Sequence, residues 1–151
     1  MLVCSSSNGG DVSGIDMTPE IEITSFYEKW KSRGFSDDHI GKMLVELEEP
    51  EWSYWYARDV LHGRFPEGET EIASDAEWSY RYARDVLHAR FPEGETAIAS
   101  DPGWSYHYAL DVLRGRFPEG ETAIASDAYW SYHYARDVLK LPEQEAKEWK
   151  P

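Results

Sequence analysis

Cysteine is all but missing from this chain of 151 residues: Cys4 stands alone, so no intrachain disulfide can staple the fold. Long apolar runs are missing too. Nothing approaches the 18 or so consecutive apolar residues of a membrane-crossing helix, so no membrane contact is expected. Basic residues are scarce, with 15 Lys and Arg against 29 Asp and Glu, for a net charge of −14. Phosphate backbones and anionic lipids call for basic surface, so neither free nucleic acid nor a membrane is an expected partner. There is no glycine-rich phosphate loop, no HExxH, no nucleophile elbow and no CxxC. The chain is therefore read as a non-enzyme, with no catalytic residue and no cofactor.

Histidine offers no metal site either. His62 and His88 lie one repeat apart, as do His107 and His133. Helices packed side by side sit about 8–10 Å apart, too far for two imidazoles to share a zinc ion at ~2.0 Å. Residues 1–17 are rich in Ser and Gly and read as a flexible leader. No basic stretch or apolar core precedes Cys4, so a lipoprotein signal is not expected, and the predicted location is cytoplasmic.

What the chain does have is aromatics and repetition. Seven Trp and ten Tyr help bring aromatics to 15%. A unit of 26 residues starts at Glu51, Glu77 and Gly103, and a fourth copy from Tyr129 diverges after Lys140. Each copy reads as a long helix and a short one. Asp75 is a good N-cap, and Pro102 occupies the favoured first helical position of the next copy. The long helix is expected to end near Arg90, and Pro92 opens the short helix PEGETAIAS. Alternation of period two is absent, which excludes strands. The predicted fold is all-α, an α-solenoid of about ten helices in long and short pairs. Four segments follow: the leader at 1–17, a degenerate helical hairpin acting as a cap at 18–50, three repeats at 51–128, and a divergent capping repeat at 129–151.

Comparison of the copies separates two kinds of position. Trp52, Ser53, Tyr54, Tyr56, Ala57, Asp59, Val60 and Leu61 recur in every copy. A structural core is expected from Trp52, Trp78, Trp104 and Trp130 with Val60, Val86, Val112 and Val138, all largely buried. Asp59, Arg64 and Glu67 are ionic candidates for linking helices. The varying positions 51, 55, 58 and 62 follow i, i+4, i+7, i+11, one stripe on a helical face. That stripe predicts a partner-binding surface at Trp55, Arg58, Arg81, Arg84, His107, His133 and Arg136, since Trp, Tyr and Arg dominate binding hot spots.

The pattern S-Y-x-Y-A-x-D-V-L-x-G-R-F-P-E-G-E-x-x-I-A over residues 51–145 resembles short tandem helical repeats of uncharacterised phage and bacterial proteins. The resemblance implies an α-helical repeat fold and a phage or bacterial source, with the host cytoplasm as location if phage-encoded. It carries over no functional residue. The function expected from the residues is a protein-binding scaffold using the variable stripe. The alternative is an acidic inhibitor that mimics nucleic acid, its charge recurring at Glu67, Glu69, Glu93, Glu95, Glu119 and Glu121. Self-association through Trp55, Tyr129 and Trp149 is a third option.

Overall fold

The computed structural model describes residues 19–151, with side chains from residue 22 onward. The leader at 1–17, Cys4 and the expected N-cap Thr18 lie outside the described residues. Ten helical segments run in order: α1 (Pro19–Ser32), α2 (Asp37–Val45), α3 (Pro50–Trp55), α4 (Glu69–Ala73), α5 (Ala76–Tyr82), α6 (Glu95–Ala99), α7 (Pro102–His107), α8 (Glu121–Ala125), α9 (Ala128–His133) and α10 (Glu143–Glu148). No strand occurs among the described residues, and the architecture is the expected α-helical tandem array. Each long helix packs on the next, α3 on α5, α5 on α7 and α7 on α9, while the short helices bridge successive pairs.

The long helices start as the sequence indicates. Asp75, Asp101 and Asp127 adopt extended backbone and accept the N–H of Trp78, Trp104 and Trp130 respectively. Pro50 already belongs to the first long helix, at its first turn, so the cap ends one residue earlier than the composition suggests. The far ends differ more. Each long helix continues as a π-helical turn, over Tyr56–Leu61, Ala83–Leu87, Tyr108–Leu113 and Tyr134–Val138. The second long helix thus stops at Leu87, three residues short of the expected Arg90. It is stopped by His88, which takes a left-handed conformation with φ of 50°. His62, Arg114 and Lys140 do the same, with φ of 51°, 52° and 61°. The N–H groups of Gly63, Ala89 and Gly115 then reach back six residues to the carbonyls of Ala57, Ala83 and Ala109, at 3.0–3.2 Å. This satisfies helix-end carbonyls as in a Schellman cap. At these four long-helix ends the left-handed residue is a His, Arg or Lys, the types that the negative helix C-terminus favours, whereas Glu48 in the cap is also left-handed, with φ of 55°.

The expected core needs correction. Tyr54, Tyr56, Tyr82, Tyr108, Tyr134, Phe91, Phe117, Ile72, Ile98 and Ile124 are the large fully enclosed side chains of the array. Trp52, Trp78, Trp104 and Trp130 are only half-buried and pack against that core from outside, as do Val60, Val86, Val112 and Val138. The inward arc of each long helix is instead Ser, Tyr, Tyr and Ala, as in Ser79, Tyr80, Tyr82 and Ala83. The serine is small for a reason. Ser79 Oγ donates to the Ile72 carbonyl of the preceding short helix at 2.9 Å, and Ser105 Oγ repeats this at Ile98 with 2.8 Å. From the other side, Gly94 of the following short helix approaches so closely that an added Cβ would lie 2.5–2.6 Å from Ser79 and Phe91 atoms.

One bonding pattern ties each repeat to the next. Tyr82 Oη accepts the Phe65 N–H at 2.9 Å and donates to Glu69 Oε1 at 2.8 Å. Glu69 in turn receives two bonds from Arg64, at 2.6 and 3.0 Å. Tyr108 closes the same circuit on Phe91, Glu95 and Arg90, and Tyr134 on Phe117, Glu121 and Arg116. Arginine thus pairs with Glu69, two residues further on, rather than with the expected Glu67, which is exposed. At the cap, Tyr56 Oη donates to the Asp37 carbonyl at 3.0 Å instead. At the far end Trp149 packs on Tyr134, ring centres 5.2 Å apart.

Glycine substitutions separate close packing from chain freedom. Gly94→Ala should cost about 1–3 kcal/mol or more in denaturant unfolding, because the new methyl overlaps Ser79 and Phe91. Gly115→Ala should leave stability level or raise it by about 0.4–1 kcal/mol. Its added Cβ meets only the Leu113 carbonyl at 3.9 Å, and the second repeat already carries Ala89 there.

Candidate functional site

The long helices carry a continuous band of aromatic rings on the side away from the short helices' bonding circuits. Phe26 stands edge-on to Trp52 at 5.9 Å. Tyr54 and Trp55 both contact Trp78, at 5.2 and 6.2 Å. Tyr80 and His107 contact Trp104, at 5.4 and 6.0 Å. Tyr106 and His107 contact Trp130, at 5.2 and 5.4 Å. The band ends on Tyr129, 61% exposed, with its ring 4.3 Å from His133. Every junction repeats one rule: the tyrosine of one unit lies against the tryptophan of the next.

A second tyrosine bond runs along this band. Tyr54 Oη donates to Asp85, Tyr80 Oη to Asp111 and Tyr106 Oη to Asp137, at 2.8, 2.6 and 2.8 Å, each spanning 31 residues. Three arginines of the expected stripe join these bonds. Arg58, Arg84 and Arg136 each chelate the aspartate that follows them, with closest contacts of 2.7, 2.5 and 2.7 Å. The guanidinium groups also lie over rings, Arg58 4.2 Å from Trp55 and Arg84 5.0 Å from Tyr80. Arg81 pairs with Glu77 at 2.8 Å and covers Trp78 at 5.3 Å.

The structure therefore brings the seven stripe residues onto one band, but it changes the band's character. Charge on Arg58, Arg81, Arg84 and Arg136 is matched by a carboxylate within the same helix, so the surface is aromatic rather than basic. His107 and His133 sit 3.8 and 3.6 Å from Asp111 and Asp137 and lie among rings. The sequence reading places the four tryptophans in the core; the structure puts them at the outer side of each junction, Trp78, Trp104 and Trp130 against the buried Tyr54, Tyr80 and Tyr106 of the neighbouring unit.

Clefts open between units along the band. One of about 180 Å³ is lined by Tyr80, Arg81, Arg84, Trp104 and His107. Another of about 250 Å³ is lined by Asp101, Pro102, Gly103, Trp104, His107 and Trp130. A polar cleft of about 390 Å³ lies near the helix ends between Arg84, His88, Asp111 and Arg114. Among the described residues no group of His, Cys, Asp and Glu is placed to hold a metal ion. None of the described helices is long and apolar enough to cross a membrane. Comparison with known proteins is silent: no family model, no curated protein and no solved structure matches this chain.

Burial shifts the tyrosines that hold the band. It is the leading cause that raises the hydroxyls of Tyr54, Tyr80 and Tyr106 to about 12, with the facing aspartates adding to it. Tyr134 rises to about 12, and Tyr82 and Tyr108 also rise, mainly through burial. A tyrosine raised in the folded state stabilises the fold fully below its unfolded value of about 10. That contribution is lost as pH climbs from about 10 through the folded values. Absorbance at the tyrosinate band should therefore rise in a cooperative step that coincides with loss of helical dichroism above pH about 10. A smooth titration of all tyrosines near pH 10 with the fold intact would contradict this bonding.

Proposed function

We propose that this chain is a non-enzymatic protein-binding scaffold that presents the aromatic band of its long helices to another protein. The observation carrying the reading is that four tryptophans are left only partly buried in a line across all repeats. A fold free to enclose them would gain roughly 25 cal/mol per Å² of apolar surface removed from water. Tryptophan, tyrosine and arginine in one packed surface are also the residue types that dominate binding energy at interfaces. The band's varying positions, Trp55, Arg81, His107 and His133, change between units without disturbing the junction bonds, so the surface can differ where the fold repeats. A phage or bacterial source and a cytoplasmic location belong to the same proposal, as does the absence of a cofactor.

The acidic-mimic reading has less support. Of the two glutamates recurring in each short segment, Glu69, Glu95 and Glu121 are bound by an arginine and a tyrosine of the fold. Only Glu67, Glu93 and Glu119 of that series remain exposed.

The test is affinity capture from cell extract followed by affinity measurement on variants. A combined Trp55→Ala and Arg81→Ala change should keep the melting temperature within a few degrees and lose at least ~2 kcal/mol of partner affinity, the hot-spot scale. Unchanged affinity, together with loss on reversing Glu67, Glu93 and Glu119 to Lys, would instead select mimicry. Concentration-dependent dimers that vanish on Tyr129→Ala would select self-association.

A further inference from the structure

The third repeat breaks a pattern that the others keep. In the second repeat the band positions are Glu77, Arg81 and Arg84; in the third they are Gly103, His107 and Leu110. Wherever an arginine occupies the band, it lies on a ring: Arg58 on Trp55, Arg81 on Trp78, Arg84 on Tyr80 and Arg136 on Tyr132. Among the described residues no Lys or Arg lies over Trp104, Tyr106 or Trp130. The two clefts that share Trp104 and His107 make the contrast local. The one toward the second repeat is lined by Arg81 and Arg84, while the one toward the fourth contains neither lysine nor arginine.

Glycine is what opens that second cleft. A Cβ at Gly103 would lie 3.1–3.2 Å from Cζ2 and Cε2 of the Trp130 indole. The glutamate found at the equivalent positions 51 and 77 would crowd the indole and bring a longer chain to the opening. Without it, Trp104 and Trp130 flank about 250 Å³ backed by the His107 ring, with the Asp101 carboxylate on the wall. His107 itself sits 3.8 Å from Asp111. The chain around the cleft carries a net charge of −14.

We propose that the cleft between Trp104, His107 and Trp130 is a receptor for an arginine side chain of the partner protein, which replaces the internal arginine that the third repeat lacks. A guanidinium slides flat against an indole and is attracted by the ring's negative face, the more so where water is excluded. The chain makes that contact internally in its first two repeats, with Arg58 on Trp55 and Arg81 on Trp78, so an indole of this array already suits the group. Charge complementarity favours a cation over any neutral or anionic occupant. The inference rests on the scaffold reading for the source of the arginine, but the cleft can be tested without the partner.

The experiment is an NMR titration of the full chain with N-acetyl-argininamide, using N-acetyl-citrullinamide as the neutral probe of equal shape. Arginine should shift the Trp104 and Trp130 indole signals saturably and leave Trp52 still, with citrulline weaker by roughly 3–10-fold, as expected for removal of a cation–ring contact. His107→Arg restores the second-repeat pattern and should fill the cleft from within, abolishing the arginine response while the spectrum stays folded. Trp130→Leu is the second variant and should erase the preference for arginine over citrulline. Equal binding of both probes, silence at Trp104 and Trp130, or an undiminished response in both variants overturns the proposal. Silence there, combined with loss of partner affinity in the Trp55 and Arg81 variant, removes the cleft and leaves the scaffold standing. Saturable arginine binding with no protein ever captured supports the cleft and counts against the scaffold.

Discussion

The array depends on one hydroxyl per junction. Tyr82, Tyr108 and Tyr134 are fully buried, and each accepts a loop N–H from the preceding unit while donating to its glutamate. A buried N–H or carboxylate without a partner costs about 1–3 kcal/mol, more when charged. The phenylalanine N–H is thus satisfied only when the next unit is in place, and the glutamate, already bound by the arginine of its own unit, gains a further bond there. The arginine beside the glutamate balances its charge and, as the leading cause, holds the carboxyl of Glu69, Glu95 and Glu121 below the usual range. One tyrosine position therefore converts a chain of small hairpins, none able to enclose its own apolar face, into a cooperative stack.

The same circuit decides what is left for the surface. With Tyr82, Phe91 and Ile98 filling the space between long and short helices, the tryptophans have no room inside and lie along the outer edge. There the forward tyrosine bonds, Tyr54 to Asp85 and its equivalents, set the ring spacing from unit to unit. Substitutions on that edge can alter charge and shape without touching the circuit beneath. Gly103, His107 and Leu110 are the furthest such departure, and they coincide with a cleft between two tryptophans whose lining holds no arginine.

Much of the fold is legible in the sequence because its punctuation is local. Asp75, Asp101 and Asp127 cap, prolines open helices, and the 26-residue period fixes the stacking. Tyrosine against tryptophan was harder to read. Both are large, aromatic and invariant, and hydrophobicity ranks tryptophan as the core residue. The deciding factor is the hydroxyl, which finds bonds across a junction 13, 17 or 31 residues away, and such pairings leave no trace in a helical period. The left-handed ends at His62, His88, Arg114 and Lys140 were hidden for a related reason, since none of these residue types marks a left-handed position in the sequence as glycine does. The variable stripe was legible as a surface, but the pairing of Arg58, Arg84 and Arg136 with the aspartate that follows each was not, because adjacent residues do not share an α-helical face.

Amide hydrogen exchange at Phe65, Phe91 and Phe117 tests the central circuit most directly. These N–H groups lie in connecting segments outside any helix and have only a tyrosine hydroxyl from the next repeat as partner. If that hydroxyl fastens the array, they should exchange as slowly as the centres of the long helices, with the free energy of global unfolding, and Tyr108→Phe should release Phe91 first. Exchange at the rate of exposed loop amides in the unaltered chain would contradict the account.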